Sequence, residues 1–180
     1  MERITRSSYL SIAGWAFQTL RSGEAQGQFP IALPVIDWRK RIADPLAGGQ
    51  FNLQINSLSL LRTAGQDTQR AFFGARWDMQ RITSFGQELK LTAYGRADLY
   101  HTDESGLTQT LDYRGNDGWQ NRLVSAAAAE VRWPLVGRFL NGVQRLTPRL
   151  QVVASPGTAN LKVPNEDARA VDLEDSNLFA

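Results

Sequence analysis

The sequence predicts an all-β chain, an antiparallel meander of about seven long strands, forming an open segment of a large outer-membrane β-barrel. Three observations predict it. From Gln69 to His101 apolar and polar side chains alternate almost without a break, and period two marks a strand because successive side chains point to opposite sides. The arms flanking Thr83-Ser84-Phe85-Gly86 run well past the roughly 5–6 residues usual in soluble domains and reach the roughly 9–11 of a tilted membrane-spanning strand. One parity carries small and aromatic residues and the other carries charges of both signs, as expected where one side meets lipid and the other a wet lumen.

The elements follow in order. The first strand is Tyr9 to Leu20, with mixed faces. The second, Pro30 to Arg41, is the weakest, since Pro30 and Pro34 each remove a ladder donor and imply an edge or a bulge. In the third, Gln50 to Arg62, Phe51, Leu53 and Ile55 alternate with Asn52, Gln54 and Asn56 until the phase slips at Ser57, as one extra bulge residue would make it do. The fourth and fifth form the central hairpin. Ala71, Phe73, Ala75, Trp77 and Met79 share a face with Leu89, Leu91, Ala93, Ala97 and Leu99. Glycine at position 86 takes a positive φ without steric cost, so a three-residue loop of Ser84, Phe85 and Gly86 pairs Thr83 with Gln87. That register sets Met79 opposite Leu91, Trp77 opposite Ala93 and Arg76 opposite Tyr94. A competing register sets Trp77 opposite Leu91 and Asp78 opposite Lys90. The sixth strand is Trp119 to Trp133, where Ser125 to Glu130 has helical propensity but keeps strand parity. The seventh is Leu146 to Ser155.

Composition adds bounds. The 180 residues suffice for one domain; there is no cysteine, and 20 basic against 18 acidic residues leave a net charge of +2, too balanced to argue for nucleic acid. The longest small or apolar run, Leu123 to Ala129, is far short of the roughly 20 residues of a membrane helix. No apolar signal segment follows Met1 to Arg6, so a barrel reading expects the chain to be a piece of a longer protein. The connections alternate. Arg21 to Phe29, Ala64 to Thr68, His101 to Gly118 and Pro156 onward grow long and polar. Ala43 to Gly49, Thr83 to Gly86 and Leu135 to Arg145 stay shorter, as periplasmic turns do. Trp38, Phe51, Trp77 and Trp133 all lie toward the shorter connections, where an interfacial aromatic belt belongs.

The segment Arg62-Thr63-Ala64-Gly65-Gln66-Asp67-Thr68-Gln69-Arg70-Ala71-Phe72 resembles a loop-and-strand segment of the LptD lipopolysaccharide-assembly family, also called organic solvent tolerance proteins. Arg132 to Gly137 resembles its strand-ending turn and Leu146 to Gln151 the strand after it. Pro164 to Arg169 and Leu173 to Phe179 are similar to the family's acidic loop and its asparagine–leucine–phenylalanine end. The resemblance implies that residues 1–180 are a partial transmembrane barrel domain in the outer membrane, with 157–180 an acidic extracellular loop. It implies a non-catalytic role in inserting lipopolysaccharide into the outer leaflet. The implied partners are lipopolysaccharide, outer-membrane lipid and a plug lipoprotein, with no cofactor. The family's periplasmic jelly roll and its first and last, parting strands have no counterpart in this stretch.

The candidate lumen-facing residues are Arg70, Arg76, Asp78, Glu88, Lys90, Arg96, Asp98, Arg122, Glu130 and Arg132, which share the polar parity of their strands. These basic side chains, with Arg149, either contact phosphorylated sugars or the plug, or pair with Asp78, Glu88, Asp98 and Glu130; ordinary cross-strand ion pairs are the better expectation. His101, the only histidine, has Asp98, Asp103 and Ser105 nearby in sequence, which is not triad geometry; no catalytic residue is assigned. Glu166, Asp167, Asp172, Glu174 and Asp175 suit a solvated acidic loop better than a divalent-cation site. Gly14, Gly74 and Gly95 read as close-packing or bend positions. A porin or other transport barrel is the alternative function. A soluble all-β binding module is the more distant one, and it requires the apolar faces to meet inside a sandwich.

Overall fold

The computed structural model describes residues 1–23, 26–44, 47–108, 114–139, 141–157 and 164. One antiparallel eight-stranded sheet dominates. Its strands are β1 (Glu2–Ile4), β2 (Ser8–Ala16), β3 (Ile31–Ala43), β4 (Gln50–Leu61), β5 (Asp67–Ile82), β6 (Glu88–Asp103), β7 (Gly118–Arg132) and, after an intervening hairpin, β10 (Arg149–Ala154). That hairpin pairs β8 (Leu135–Phe139) with β9 (Gly142–Leu146) as a sheet of its own. The only helical elements among the described residues are two 3₁₀ turns, Gln26–Gln28 and Ser105–Leu107. The fold is thus the expected antiparallel meander, and its open sheet is that of a barrel segment.

Several boundaries differ from expectation. A short strand, β1, precedes the first expected one and pairs with it from Glu2 opposite Ser11 to Ile4 opposite Tyr9. β2 stops at Ala16 instead of Leu20; beyond it the Gln26 amide donates to the Phe17 carbonyl and its Oε1 accepts from the Thr19 N–H, which ties the chain into a loop. The Leu135 to Arg145 connection is a hairpin that takes Leu146 with it, so the last strand begins at Arg149. Ser125 to Glu130 lies in β7 as strand, between β6 and β10. Two bordering ladders override its local helical propensity.

The expected bulge at Ser57 is not there. β4 pairs with β5 without a shift from Gln50 opposite Asp78 to Leu60 opposite Thr68. The irregularity lies in β3. Ala13 faces Val35 and Trp15 faces Ala32 on one side, while Leu58 faces Val35 and Leu60 faces Ala32 on the other. Leu33 and Pro34 therefore oppose the single residues Gly14 and Ser59. Proline has no N–H to give a ladder, so an extra residue is best placed here, and β3, bordered on both sides, is not an edge. Gly14 belongs to the same packing, since a Cβ there would meet Leu33 Cδ1 at 2.6 Å; Gly74 and Gly95, by contrast, face open space.

The central hairpin has the glycine-led register. Thr83 N–H donates to the Gln87 carbonyl at 2.8 Å, Gly86 has φ +77°, and Met79, Trp77, Ala75 and Arg76 face Leu91, Ala93, Gly95 and Tyr94. Burial is inverted relative to a soluble domain. Among the described residues the buried apolar side chains are Ala32 and Tyr100, and the buried polar ones are Gln66, Thr68, Asp98, Thr102, Ser105 and Glu130. Ala71, Phe73, Leu99 and Val131 on the apolar parity are exposed, and Leu89 and Leu91 are half-buried with no second layer over them.

Gly86→Ala should destabilise the folded protein by about 1–2 kcal/mol, the cost of a left-handed residue with a Cβ. Gly95→Ala, in open space without a positive φ, should be neutral or stabilising by up to about 1 kcal/mol. Denaturant midpoints of the protein refolded in detergent measure both.

Candidate functional site

The register fixes which side chains share a face. Arg70, Arg76 and Asp78 of β5, Glu88, Lys90, Arg96 and Asp98 of β6, and Arg122, Glu130 and Arg132 of β7 all fall on one side of the sheet. On that face they form distinct clusters. The first is centred on Asp98, whose side chain is fully buried. One of its oxygens takes the Arg96 guanidinium at 2.6 Å and the other takes Arg122 Nε at 2.9 Å, directly across the strand pair. Arg122 also donates to the Tyr100 hydroxyl at 3.0 Å, and the Arg96 guanidinium lies 3.8 Å from the Phe72 ring centroid. Arg70 is half-buried opposite Tyr100. A carboxylate removed from water is tolerable here because two cations and their N–H groups replace its hydration.

The second cluster lies toward the shorter connections. Glu130 accepts from Arg132 at 3.3 Å and from Arg149 of β10 at 2.8 Å, and Arg132 reaches Glu88 at 3.7 Å. A third couples Arg76 to Asp78 at 2.8 Å, with the Thr92 hydroxyl donating to the same carboxylate at 2.9 Å. Arg76, Arg96, Arg122, Arg132 and Arg149 thus meet acidic partners named from sequence, within a strand two residues apart as often as across strands. Lys90 shares this face opposite Glu130 and Gln80.

Residues of β3, β4, β5 and β6 line a single hollow of about 430 Å³ on this face, together with the Thr5–Ser8 turn and Tyr9. Strands so far apart in the sheet border one space only if the polar side is concave. The convex side then carries the opposite parity, where Leu123 is 71% exposed and Val152 60%. Aromatic residues bracket it. Trp77 Nε1 donates to Asp44 at 2.9 Å and Trp133 Nε1 to the Phe85 carbonyl at 3.2 Å, so both indoles pin adjacent short turns. At the other end Trp119 packs on His101 with ring centroids 4.6 Å apart. Trp77 faces Ala93 and Trp119 faces His101. Along β6 those two levels are about 27 Å apart at roughly 3.4 Å per residue. With a tilt of about 40° the height is about 21 Å, near the roughly 25 Å of an outer-membrane apolar band.

His101 projects to the convex side, 3.3 Å from Asp103, whereas Asp98 belongs to the opposite face. Ser105 opens a 3₁₀ turn and donates its N–H to Asp117 at 2.8 Å. No triad is assembled. The longer loops are laced together: Ala64 N–H binds the Gly27 carbonyl, Arg62 reaches the Gln28 and Gln66 carbonyls, and Pro164 packs on Gly115. The acidic residues Glu166, Asp167, Asp172, Glu174 and Asp175 lie outside the described residues. Phe72, Tyr100 and the Asp37–Arg39 pair, at 2.6 Å, were not among the expected site residues. Parity alone would have placed Phe72 and Tyr100 on the polar face. Asp37 and Arg39 were hidden by the β3 bulge, which breaks the phase of their strand.

The family model for LptD, LPS transport system D, matches residues 1–180. No curated protein matches the chain.

Asp98→Asn leaves two guanidinium groups facing a neutral amide and should cost about 3–5 kcal/mol. Adding Arg122→Gln should recover part of that loss, and a double-mutant cycle of unfolding free energies measures the coupling. The Ser105 N–H and hydroxyl hold the Asp117 carboxyl below the ordinary carboxylate range. Its folded pKa being depressed, the tether is complete above the unfolded Asp value near about 3.9 and is lost as pH falls through the lower folded pKa. The Ser105 amide shift followed by NMR should titrate below that ordinary value, and Asp117→Asn should abolish the titration.

Proposed function

The chain belongs to the LptD family of lipopolysaccharide transport proteins, and from that premise we propose that it is a wall segment of an outer-membrane translocon that delivers lipopolysaccharide to the outer leaflet. The observation that carries this reading is the inverted burial: ion pairs crowd the concave face while Leu99, Leu123, Val131 and Val152 stand exposed on the convex one. In water such a surface would drive aggregation; against acyl chains it is matched to its solvent, and the backbone donors are satisfied by the ladder. The ten polar residues then face a lumen that passes the sugar chain while acyl chains stay in the lipid. The reaction forms and breaks no covalent bond. Neighbouring strands, supplied beyond this stretch, pair with β1 and β10 to close the barrel, and a plug lipoprotein occupies part of the lumen. The longer loops and residues 157–180 lie outside the cell, and the shorter turns with the β8–β9 hairpin lie in the periplasm.

A general porin has no claim from the family match, and a soluble sandwich module would need a second layer over the convex face. The test is replacement of the cell's own copy. Depletion should cut antibody-accessible lipopolysaccharide on intact cells, and a transport role is refuted if surface lipopolysaccharide is unchanged. Orientation in the membrane is checked in the same cells: Ala97→Arg, at mid-band on the convex side opposite Phe73, should destabilise insertion by about 2–4 kcal/mol. Asn56→Lys on the concave side should be tolerated. Heat-modifiable gel mobility of the barrel reads the difference.

A further inference from the structure

The β8–β9 ribbon prolongs the sheet past its last neighbour. Its strands keep the register of β7 and β10: Arg132 faces Arg149, the Trp133 N–H donates to the Pro148 carbonyl at 2.9 Å, and Leu135 faces Leu146. β6 begins only at Glu88, opposite Arg132. Among the described residues no strand borders either edge of the ribbon, and Leu135 to Arg138 and Gly142 to Leu146 are all exposed. An isolated two-stranded hairpin is marginal in water, so the ribbon needs a surface to lie on. Its chemistry says which. From Val131 to Gly157 the sequence has four arginines and no carboxylate. Arg132 and Arg149 are taken up by Glu130. Arg138 and Arg145 share one face of the ribbon with Val136 and Val143, each arginine opposite a valine. A third cation lies on the wall above. Arg81 is exposed on the apolar parity of the sheet, in one row with Leu89, Val131 and Leu150. Trp133 and Phe85, both exposed, lie just beyond that row. Among the described residues Arg81, Arg138 and Arg145 have no carboxylate within ion-pair distance.

We propose that Arg81 and the β8–β9 ribbon form a seat for the anionic phospholipid headgroups of the leaflet beside the shorter turns. An arginine on a lipid-facing row is tolerable only at headgroup level, and there its paired N–H donors match phosphate oxygens. Arg81 takes the phosphate from the wall. Arg138 and Arg145 take it from the ribbon, with Val136 and Val143 against the glycerol and upper acyl region. Pro134 and Pro148 withhold two donors at the root of the ribbon, which frees it to leave the line of the wall and lie along the headgroup plane. Pairing with another protein strand would use the backbone edges alone. It would explain neither the arginine–valine face nor Arg81. The inference rests on the membrane placement proposed above and is independent of what the barrel transports.

The chain has no cysteine, so single spin labels report single positions in the intact protein reconstituted into vesicles. In vesicles containing phosphatidylglycerol, a label at Val143→Cys should be shielded from a neutral, water-soluble nickel chelate. In phosphatidylcholine alone it should be several-fold more accessible. Arg138→Gln with Arg145→Gln should raise accessibility in the anionic vesicles to the phosphatidylcholine level, and the corresponding pair of lysine variants should keep most of the shielding. A label at Val131→Cys, in the row of Arg81, should sense headgroup-labelled phosphatidylglycerol in preference to phosphatidylcholine. Arg81→Gln should cut that preference about fivefold, the contribution of one basic residue at an anionic surface, and high salt should weaken it too. Equal accessibility of the ribbon label in both vesicle types, whether shielded or open, overturns the proposal. So does an unchanged lipid preference in Arg81→Gln. Shielding seen only in native outer membranes overturns it as well and assigns the ribbon to a protein partner. A label at Leu123→Cys on the convex wall separates the two readings. If that label lies in hydrocarbon while the ribbon label stays in water, only this proposal fails. If it lies in water, the membrane placement fails and the proposal with it.

Discussion

Backbone satisfaction is the constraint on which the rest of this structure depends. A strand facing hydrocarbon has no water to accept its N–H and C=O groups, so the ladder must take all of them. From β4 to β7 the register runs without a shift, over sixteen facing pairs between β5 and β6. Unbroken pairing enforces strict period two, and the side chains divide into two populations with no exchange between them. A slip of one residue would carry Arg96 and Asp98 onto the apolar side together. The glycine turn at 86 therefore governs the chemistry of both faces at once, through geometry alone.

The concave face solves a second problem, that of packing many cations in one place. Each guanidinium of the Asp98 and Glu130 clusters touches a carboxylate, and each of those carboxylates serves two guanidinium groups. Shared in this way, Asp98 and Glu130 hold four guanidinium groups at short range with reduced mutual repulsion. Such clusters contribute little net stability relative to apolar packing, because desolvation offsets most of the attraction. What they provide is a wall that is polar and closely packed and that keeps a positive excess, since each shared carboxylate faces two guanidinium groups.

Much of this was legible in the sequence, for identifiable reasons. The 69–101 hairpin reads directly because its two arms keep one phase and its turn contains a single glycine. The polar face of β5 to β7 follows from the same parity. Of the two irregularities the sequence suggests, the one at Pro34 is present and the one at Ser57 is not. Leu58 and Leu60 break the apolar–polar rhythm of β4, yet they stay in register opposite Arg70 and Thr68; apolar residues do occur on the concave side. The irregularity at Leu33 and Pro34 is signalled by the proline, which has no N–H for a ladder, and not by the apolar rhythm, because Ala32 and Val35 on either side are both apolar. The β8–β9 hairpin escaped notice because Gly142 and Asn141, with φ +59°, mark a turn that five-residue arms on each side make easy to mistake for loop. The hollow is not a sequence property at all, since the Thr5–Ser8 turn reaches Arg76 and Tyr94 only through sheet curvature.

The order of the strands bears on how such a sheet comes to exist. Every strand of the main sheet pairs with its predecessor in the chain, except that β10 reaches β7 across a hairpin that closes on itself. Each new strand then needs only one local connection, short or long, to be closed, an entropic cost that grows slowly with length. Such an order suits assembly by hairpin addition, with no distant segment to be found first and little dependence on hydrophobic collapse, for which the described residues offer almost no apolar interior. A nascent sheet of this kind can lengthen strand by strand at the edge of a membrane, each addition covering the open edge left by the last. Speed then depends on local turns such as 83–87, and the hazard during growth is the exposed edge, where an unrelated strand could pair just as well.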